Sequence, residues 1–323
     1  MSQDFKPAFG LKNKHLQTIY SSLFTKNLNL KFEIEQFELP DGDFVDCYWY
    51  NKSNINQKIV VLFHGLAGSY KSPYIQGTMK NLEKEGFTSV IMHFRSCSGR
   101  LNKLPRLYHS GDTSDSLAWL KSLSRRFSNS KLYAVGYSLG GNILLKLLGE
   151  IKDSKLLCGA ISISAPMELS ICVNKLNSGF SKFYQAILLK NLNNILKKKY
   201  NFHDMKSLIG IDKTEIKQLK NFLIFDEIYT ARIYGFKSAK DYYTKSSSKP
   251  YLKDISIPTL IIHSLDDPFM TPEVLPTKDE ISSFVKLEIS SNGGHLGFIS
   301  GSFWNPSYYL ENKVVEFFKT LDL

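Results

Sequence analysis

The pentapeptide Gly136-Tyr137-Ser138-Leu139-Gly140 limits what this chain can fold into more than any other feature. A short apolar run over 132–135 leads into it, and Ile143, Leu144, Leu147 and Leu148 leave it at helical spacing. The pattern predicts a strand, a sharp turn and a helix, the setting in which G-x-S-x-G presents a serine hydroxyl at the tip of the turn. Small residues at 136 and 140 suit a place where strand and helix approach closely. The hydroxyl would stand at the positive end of the helix, where a developing anion is stabilised.

The surrounding pattern extends that unit into a sheet. An arm over 7–25 carries a short amphipathic helix, and runs over 30–39 and 44–50 flank Pro40-Asp41-Gly42-Asp43, which predicts an antiparallel hairpin. Apolar strands are then expected over 59–63, 88–93, 132–135 and 159–164, separated by helices over 73–85, 112–126 and 141–151. Strands return over 258–263 and 285–289, and a helix over 309–321 closes the chain. Fully apolar strands alternating with helices predict a mostly parallel sheet covered on both faces. Residues 167–250 hold no convincing strand, only helical runs rich in Leu, Ile, Phe, Tyr and Lys. The expected organisation is an α/β core over 1–166 and 251–323, with an N-terminal arm over 1–28 and a helical lid inserted over 167–250.

Charge and cysteine content narrow the class. The net charge is +11, and 14 lysines and one arginine against seven acidic residues fall within 167–250. Because that surplus sits on helices interleaved with Asn and aromatic residues, it reads as a solvated face and not as a nucleic-acid site. It also allows weak association with an anionic membrane surface through the basic lid. Cys47, Cys97, Cys158 and Cys172 have no metal-ligand spacing and read as reduced thiols, most of them buried. With no run of about 18 apolar residues and no secretory-type leader, a cytoplasmic protein is expected.

A serine hydroxyl needs an adjacent base to act as a nucleophile, and the base needs an orienting carboxylate. On a sheet carrying such an elbow the chain order is Ser, Asp or Glu, then His. Asp266, three residues beyond the strand expected over 258–263, is the favoured carboxylate; Asp267 is the fallback, otherwise a turn residue before Pro268. Among seven histidines, His295 alone stands in a glycine-bracketed loop (Gly293-Gly294-His295-Leu296-Gly297) after the last expected strand. Acyl transfer also needs donors for an oxyanion. The backbone N–H groups of Leu139, after the nucleophile, and Leu66, in the loop His64-Gly65-Leu66-Ala67-Gly68-Ser69, are the candidates. His64 reads as a polar residue bracing that loop, with no chemical role.

These residues resemble the α/β-hydrolase superfamily and, within it, the YheT-like branch of predicted serine esterases. The resemblance extends to Lys14-His15-Leu16-Gln17-Thr18-Ile19, Ser72-Pro73-Tyr74, Phe94-Arg95-Ser96-Cys97-Ser98-Gly99 and Tyr108-His109-Ser110-Gly111-Asp112-Thr113 with Asp115. It further takes in Gly141-Asn142, Asp266-Asp267-Pro268-Phe269 and Gly294-His295-Leu296-Gly297-Phe298, so it spans about residues 7–310 and is weakest across the lid. His93 stands where the family usually has Asn, and Ser96 where it has Gly; both concern loop geometry away from the triad. Arg95 would be either an ion-pair anchor of its loop or a cation facing substrate. The resemblance implies an α/β-hydrolase fold and a serine hydrolase acting on carboxylic esters through Ser138, Asp266 and His295, without metal or cofactor.

The expected reaction is formation of an acyl-enzyme on Ser138 and its hydrolysis. The lid aromatics Phe180, Phe183, Tyr184, Phe222, Phe225, Tyr229 and Tyr234 argue for an apolar acyl group on a small-molecule ester. Two alternatives use the same residues differently: transfer of the acyl group to an alcohol, or a catalytically silent lipid-binding protein. Nothing in the residues specifies the oligomeric state.

Overall fold

The apolar runs pair into one sheet in the computed structural model, which describes residues 5–25, 28–54, 58–152 and 155–321. β1 (Glu33–Glu38) and β2 (Phe44–Tyr50) form the expected antiparallel hairpin. β3 (Lys58–Phe63), β4 (Thr88–Met92), β5 (Lys131–Tyr137), β6 (Gly159–Ile163), β7 (Thr259–Ser264) and β8 (Val285–Ser290) lie parallel to one another. The spatial order is β1-β2-β4-β3-β5-β6-β7-β8, with β2 antiparallel to β4. A separate pair, β9 (Ile299–Gly301) and β10 (Pro306–Tyr308), lies beyond the reach of the sequence pattern because each strand is only three residues long.

The helices follow in chain order: α1 (Lys14–Phe24), α2 (Pro73–Lys84), α3 (Ser114–Arg126) and α4 (Leu139–Ile151). Between β6 and β7 come α5 (Leu169–Leu176), α6 (Ser181–Lys199), α7 (Met205–Ile209), α8 (Phe222–Phe225), α9 (Ala231–Tyr234) and α10 (Ala239–Ser246). A π-helical turn, Asp226–Thr230, joins α8 to α9. No strand occurs among the described residues of that insertion. α11 (Tyr309–Thr320) ends the fold.

Alternation along the central strands covers both faces of the sheet. Ile59, Val61 and Phe63 join Trp119, Leu120 and Ile143 of α3 and α4 in one core. Val60 and Leu62 point the other way, into a core with Ile75 and Met79 of α2 and Phe318 of α11. The sheet therefore holds the ends of β3, β5, β7 and β8 along one rim, and the candidate site residues stand on the loops leaving that rim.

Two sequence expectations are corrected here. Of the four free thiols only Cys47 is buried, Cys97 and Cys172 are half-buried and Cys158 is exposed. The lysine surplus over 167–250, expected to be a solvated face, is not solvated throughout, because Lys199 is buried. Lys199 turns inward, and its Nζ donates to the carbonyls of Asn102 at 2.7 Å and Leu104 at 2.6 Å, tying α6 to the loop after β4.

Candidate active site

β5 runs straight into the turn, and the Ser138 N–H still donates to Ile163 O of β6 at 2.8 Å. The chain then reverses: Ser138 has φ +51° and ψ −120°, a backbone region that L-residues adopt only when their surroundings enforce it. Those surroundings are tight. A Cβ at Gly136 would lie 2.5 Å from Gly140 O, and one at Gly140 would lie 2.4 Å from Phe63 O, so helix α4 can sit against β3 and β5 only if both positions are glycine.

The loop after β8 brings His295 to this serine. The Ser138 Oγ is 2.9 Å from His295 Nε2, and His295 Nδ1 is 2.8 Å from Asp267 Oδ2. A carboxylate only accepts, so Nδ1 carries the ring proton and Nε2 is left to accept from the Ser138 hydroxyl. The Phe269 ring lies flat on the imidazole, with centroids 3.9 Å apart and planes 6° from parallel, fixing the ring's tilt. His295 and Asp267 are largely removed from solvent, at 6% and 3% exposed, while Ser138 is half-buried.

The carboxylate that meets the histidine is thus Asp267 and not the favoured Asp266. β7 continues to Ser264, one residue past the end expected from sequence, and Leu265 N–H still donates to Ser290 O at 2.8 Å. That extra residue moves the position three beyond the strand from Asp266 to Asp267. Asp266 serves the neighbouring backbone: its Oδ1 accepts from Gly294 N–H at 2.9 Å and its Oδ2 from Asn292 Nδ2 at 3.5 Å. Asp267 Oδ1 accepts from Phe269 N–H at 2.8 Å, which fixes the carboxylate plane.

The loop after β3 curls over the serine from the other side. Gly65 approaches so closely that a Cβ there would sit 3.2 Å from Ser138 Cβ. Gly65 N–H donates to Tyr74 Oη and Ala67 N–H to Tyr108 Oη, both at 3.0 Å. Leu66 N–H, between them, and Leu139 N–H have no acceptor among the described residues, and both residues border the same cavity as Ser138. His64 braces the loop: Nδ1 donates to Gly65 O at 2.7 Å while Nε2 accepts from Phe94 N–H at 3.1 Å. Burial pushes its pKa down to about 3, so it stays neutral. His93 does the same one step further, donating to Asp46 O at 2.8 Å and accepting from Tyr70 N–H at 3.1 Å.

Arg95 faces away from this chemistry. Its guanidinium is 1% exposed, gripping Asp115 with two bonds of 2.7 Å and Asp43 with one of 2.8 Å, while Asp41 lies 2.9 Å away. Of the two sequence readings, the ion-pair anchor is the one the geometry takes.

A cavity of about 710 Å³ opens from Ser138 and is walled mainly by apolar side chains. Phe183, Tyr184, Phe222, Phe225 and Tyr229 of the insertion border it, together with Ile19 and Leu23 of α1. Phe180 instead points outward, and Tyr234 packs on His109 with centroids 4.3 Å apart. One buried carboxyl, Asp226 in the π-helical turn, also borders the cavity, held by Thr230 Oγ1 at 2.7 Å and Tyr243 Oη at 2.8 Å. Burial pushes its pKa up to about 7. Its place in the wall is not legible in sequence, where Asp226-Glu227 looks like any helical acidic pair.

A family model described as alpha/beta hydrolase fold matches residues 58–302. With the parallel sheet and the serine turn, this places the chain in the α/β-hydrolase family. Over 321 residues it is 39% identical to the Escherichia coli (strain K12) protein named "Putative esterase YheT", covering 99% of this chain and 94% of that one, which marks it as YheT-like. It is 26% identical over 315 residues to "Phospholipase ABHD3" of Homo sapiens, covering 94% and 76% of the two chains. Among solved structures, the esterase Pf2001 of Pyrococcus furiosus aligns with a TM-score of 0.60 at 16% identity, over 92% of this chain and 93% of that one, a likeness of fold. No helix among the described residues is long and apolar enough to cross a membrane.

Proposed function

We propose that the protein is a serine hydrolase of carboxylic esters that works through an acyl-enzyme on Ser138. The observation that carries this reading is the unbroken relay Ser138–His295–Asp267, with contacts of 2.9 and 2.8 Å, at the mouth of an apolar cavity. Ser138 Oγ attacks the ester carbonyl as its proton passes to His295 Nε2, and Asp267 stabilises the imidazolium that forms. The N–H groups of Leu66 and Leu139 receive the charge on the tetrahedral oxygen. The imidazolium then returns its proton to the departing alkoxide, and a water activated by the same nitrogen hydrolyses the acyl-enzyme. The inserted helices act as a lid over an apolar acyl group. Relatives named as an esterase and a phospholipase agree with an ester substrate.

A panel of p-nitrophenyl esters from short to long acyl chains, run beside Ser138→Ala, tests the proposal. Wild type should hydrolyse at least part of the panel and the variant none. A wild type inert on every ester and unlabelled by a fluorophosphonate would overturn it. Weak attachment to anionic lipid through the exposed lysines of the insertion is a separate proposal. Co-sedimentation with anionic vesicles that is absent with neutral ones supports it, and no sedimentation with either removes it.

A further inference from the structure

The segment Lys14-His15-Leu16-Gln17-Thr18-Ile19 takes no part in the acyl-transfer steps, yet it lies against the loop that carries His295. α1 starts with Asn13 as its cap, whose Oδ1 accepts from His15 N–H at 2.8 Å and Leu16 N–H at 3.3 Å. One turn later two consecutive side chains reach the histidine loop. Thr18 Oγ1 accepts from the backbone N–H of His295 at 2.9 Å and donates its own proton to Lys14 O at 2.8 Å. Gln17 is fully buried: its Oε1 accepts from Ile299 N–H at 2.7 Å, and its Nε2 donates to Ile299 O at 3.0 Å and Leu11 O at 2.8 Å.

The loop between those two anchor points is not one that would keep its shape alone. Leu296 has φ +60° and Phe298 φ +47°, left-handed conformations that residues with a Cβ hold only when their surroundings impose them. The glycines around the histidine are shaped to α1. A Cβ on Gly294 would lie 2.5 Å from Lys14 O and 2.7 Å from Thr18 Oγ1, and one on Gly297 would lie 2.4 Å from Gln17 O. Asp267 and Phe269 fix how the imidazole is turned; Asp266 and Ser264 hold the backbone of Gly294, and α1 holds that of His295 itself through Thr18.

We propose that Thr18 and Gln17 are positioning residues for His295: through the Thr18 hydroxyl and the Gln17 amide, the N-terminal arm holds the histidine at the distance from Ser138 that proton transfer requires. The inference rests on the serine-hydrolase reading above. It gives the arm a mechanical task in turnover, carried across 277 residues of sequence.

The test uses the full chain with Thr18→Val, which keeps the shape and removes the acceptor, and Thr18→Ser, which restores it. kcat and KM are measured on the p-nitrophenyl ester that wild type cleaves best, with thermal melts of each variant. A displacement of the histidine of order 1 Å predicts a fall in kcat of about 10- to 100-fold in Thr18→Val with KM within about 3-fold, and Thr18→Ser within about 3-fold of wild type. If Thr18→Val does not fold, Thr18→Ala is judged by the same numbers. A folded variant without the hydroxyl but with wild-type kcat would overturn the proposal. So would a serine variant as impaired as the valine one, or failure of both valine and alanine variants to fold, which would make Thr18 a folding residue only. A wild type without esterase activity would instead count against the serine-hydrolase reading, so the two failures remain distinct.

Discussion

Replacing Asp267 by Asn leaves size and shape unchanged and should nevertheless cost about four decades in rate. The reason lies in its two contacts. Asp267 Oδ1 accepts from Phe269 N–H at 2.8 Å, and Oδ2 accepts from His295 Nδ1 at 2.8 Å. In the variant only one terminal atom accepts. The Phe269 N–H cannot change its role, so it keeps the amide oxygen, and the amide NH₂ turns to the imidazole. Nδ1 must then accept, the ring proton moves to Nε2, and the nitrogen 2.9 Å from Ser138 Oγ can no longer take the serine proton. A wrongly held tautomer of this kind lowers kcat by about 10⁴-fold, or roughly 5 kcal/mol of barrier. Asp266→Asn is the control. Its oxygen still receives Gly294 N–H, and the loss of charge on bonds of 2.9 and 3.5 Å is worth about 1 kcal/mol, less than about 10-fold in rate. Initial rates of p-nitrophenyl ester hydrolysis, with circular dichroism to confirm folding, distinguish the two. Equal losses in both variants, or a folded Asp267→Asn within 10-fold of wild type, would refute the argument.

Other perturbations have equally definite outcomes. The carboxyl of Asp226 is pushed up to about 7 from an ordinary 3.8, so the folded state binds its proton more tightly than the unfolded chain does. Its contribution to stability is full below about pH 3.8, fades as pH rises through about 7, and amounts to at most roughly 4 kcal/mol. Asp226→Asn should therefore flatten the decline of denaturation midpoint between about pH 4 and about pH 7; an unchanged slope counts against a buried titrating carboxyl. Gly140→Ala places a methyl 2.4 Å from Phe63 O and should cost about 3 kcal/mol or more, read as a markedly lower Tm or as insoluble protein; a wild-type melt contradicts the packing described for the serine turn. Arg95→Met leaves the buried Asp43 and Asp115 without their cation and should destabilise by about 3–5 kcal/mol, while kcat per folded molecule stays near wild type; a selective loss of kcat would return the arginine to the substrate.

Much of this molecule is legible in its sequence because the informative signals are local. Short, β-branched apolar runs such as Ile59-Val60-Val61-Leu62 fit strands covered on both sides, and the turn at Pro40-Asp41-Gly42-Asp43 announces the β1–β2 hairpin. Gly136 and Gly140 mark the place where helix and strands touch, and Gly293, Gly294 and Gly297 mark the histidine loop. The choice between Asp266 and Asp267 fails on a single residue: His263-Ser264 can end a strand at either position, and only the pairing with β8 up to Ser290 decides it. The remaining omissions are contacts between distant segments. Nothing local to Phe269 says that its ring will lie on His295, and nothing local to Lys199 says that it will turn inward to Asn102 and Leu104. Thr18 meets His295 only because β9 pulls the arm alongside the loop, with Ala8 N–H donating to Ile299 O at 2.9 Å.

The proposed covalent step is open to direct observation. Wild-type protein mixed with a slow-turnover p-nitrophenyl ester and quenched in acid should gain the mass of one acyl group, mapped by peptide sequencing to Ser138 and absent from Ser138→Ala. An acyl group on any other residue, or hydrolysis that persists in the alanine variant, would contradict the role given to that hydroxyl.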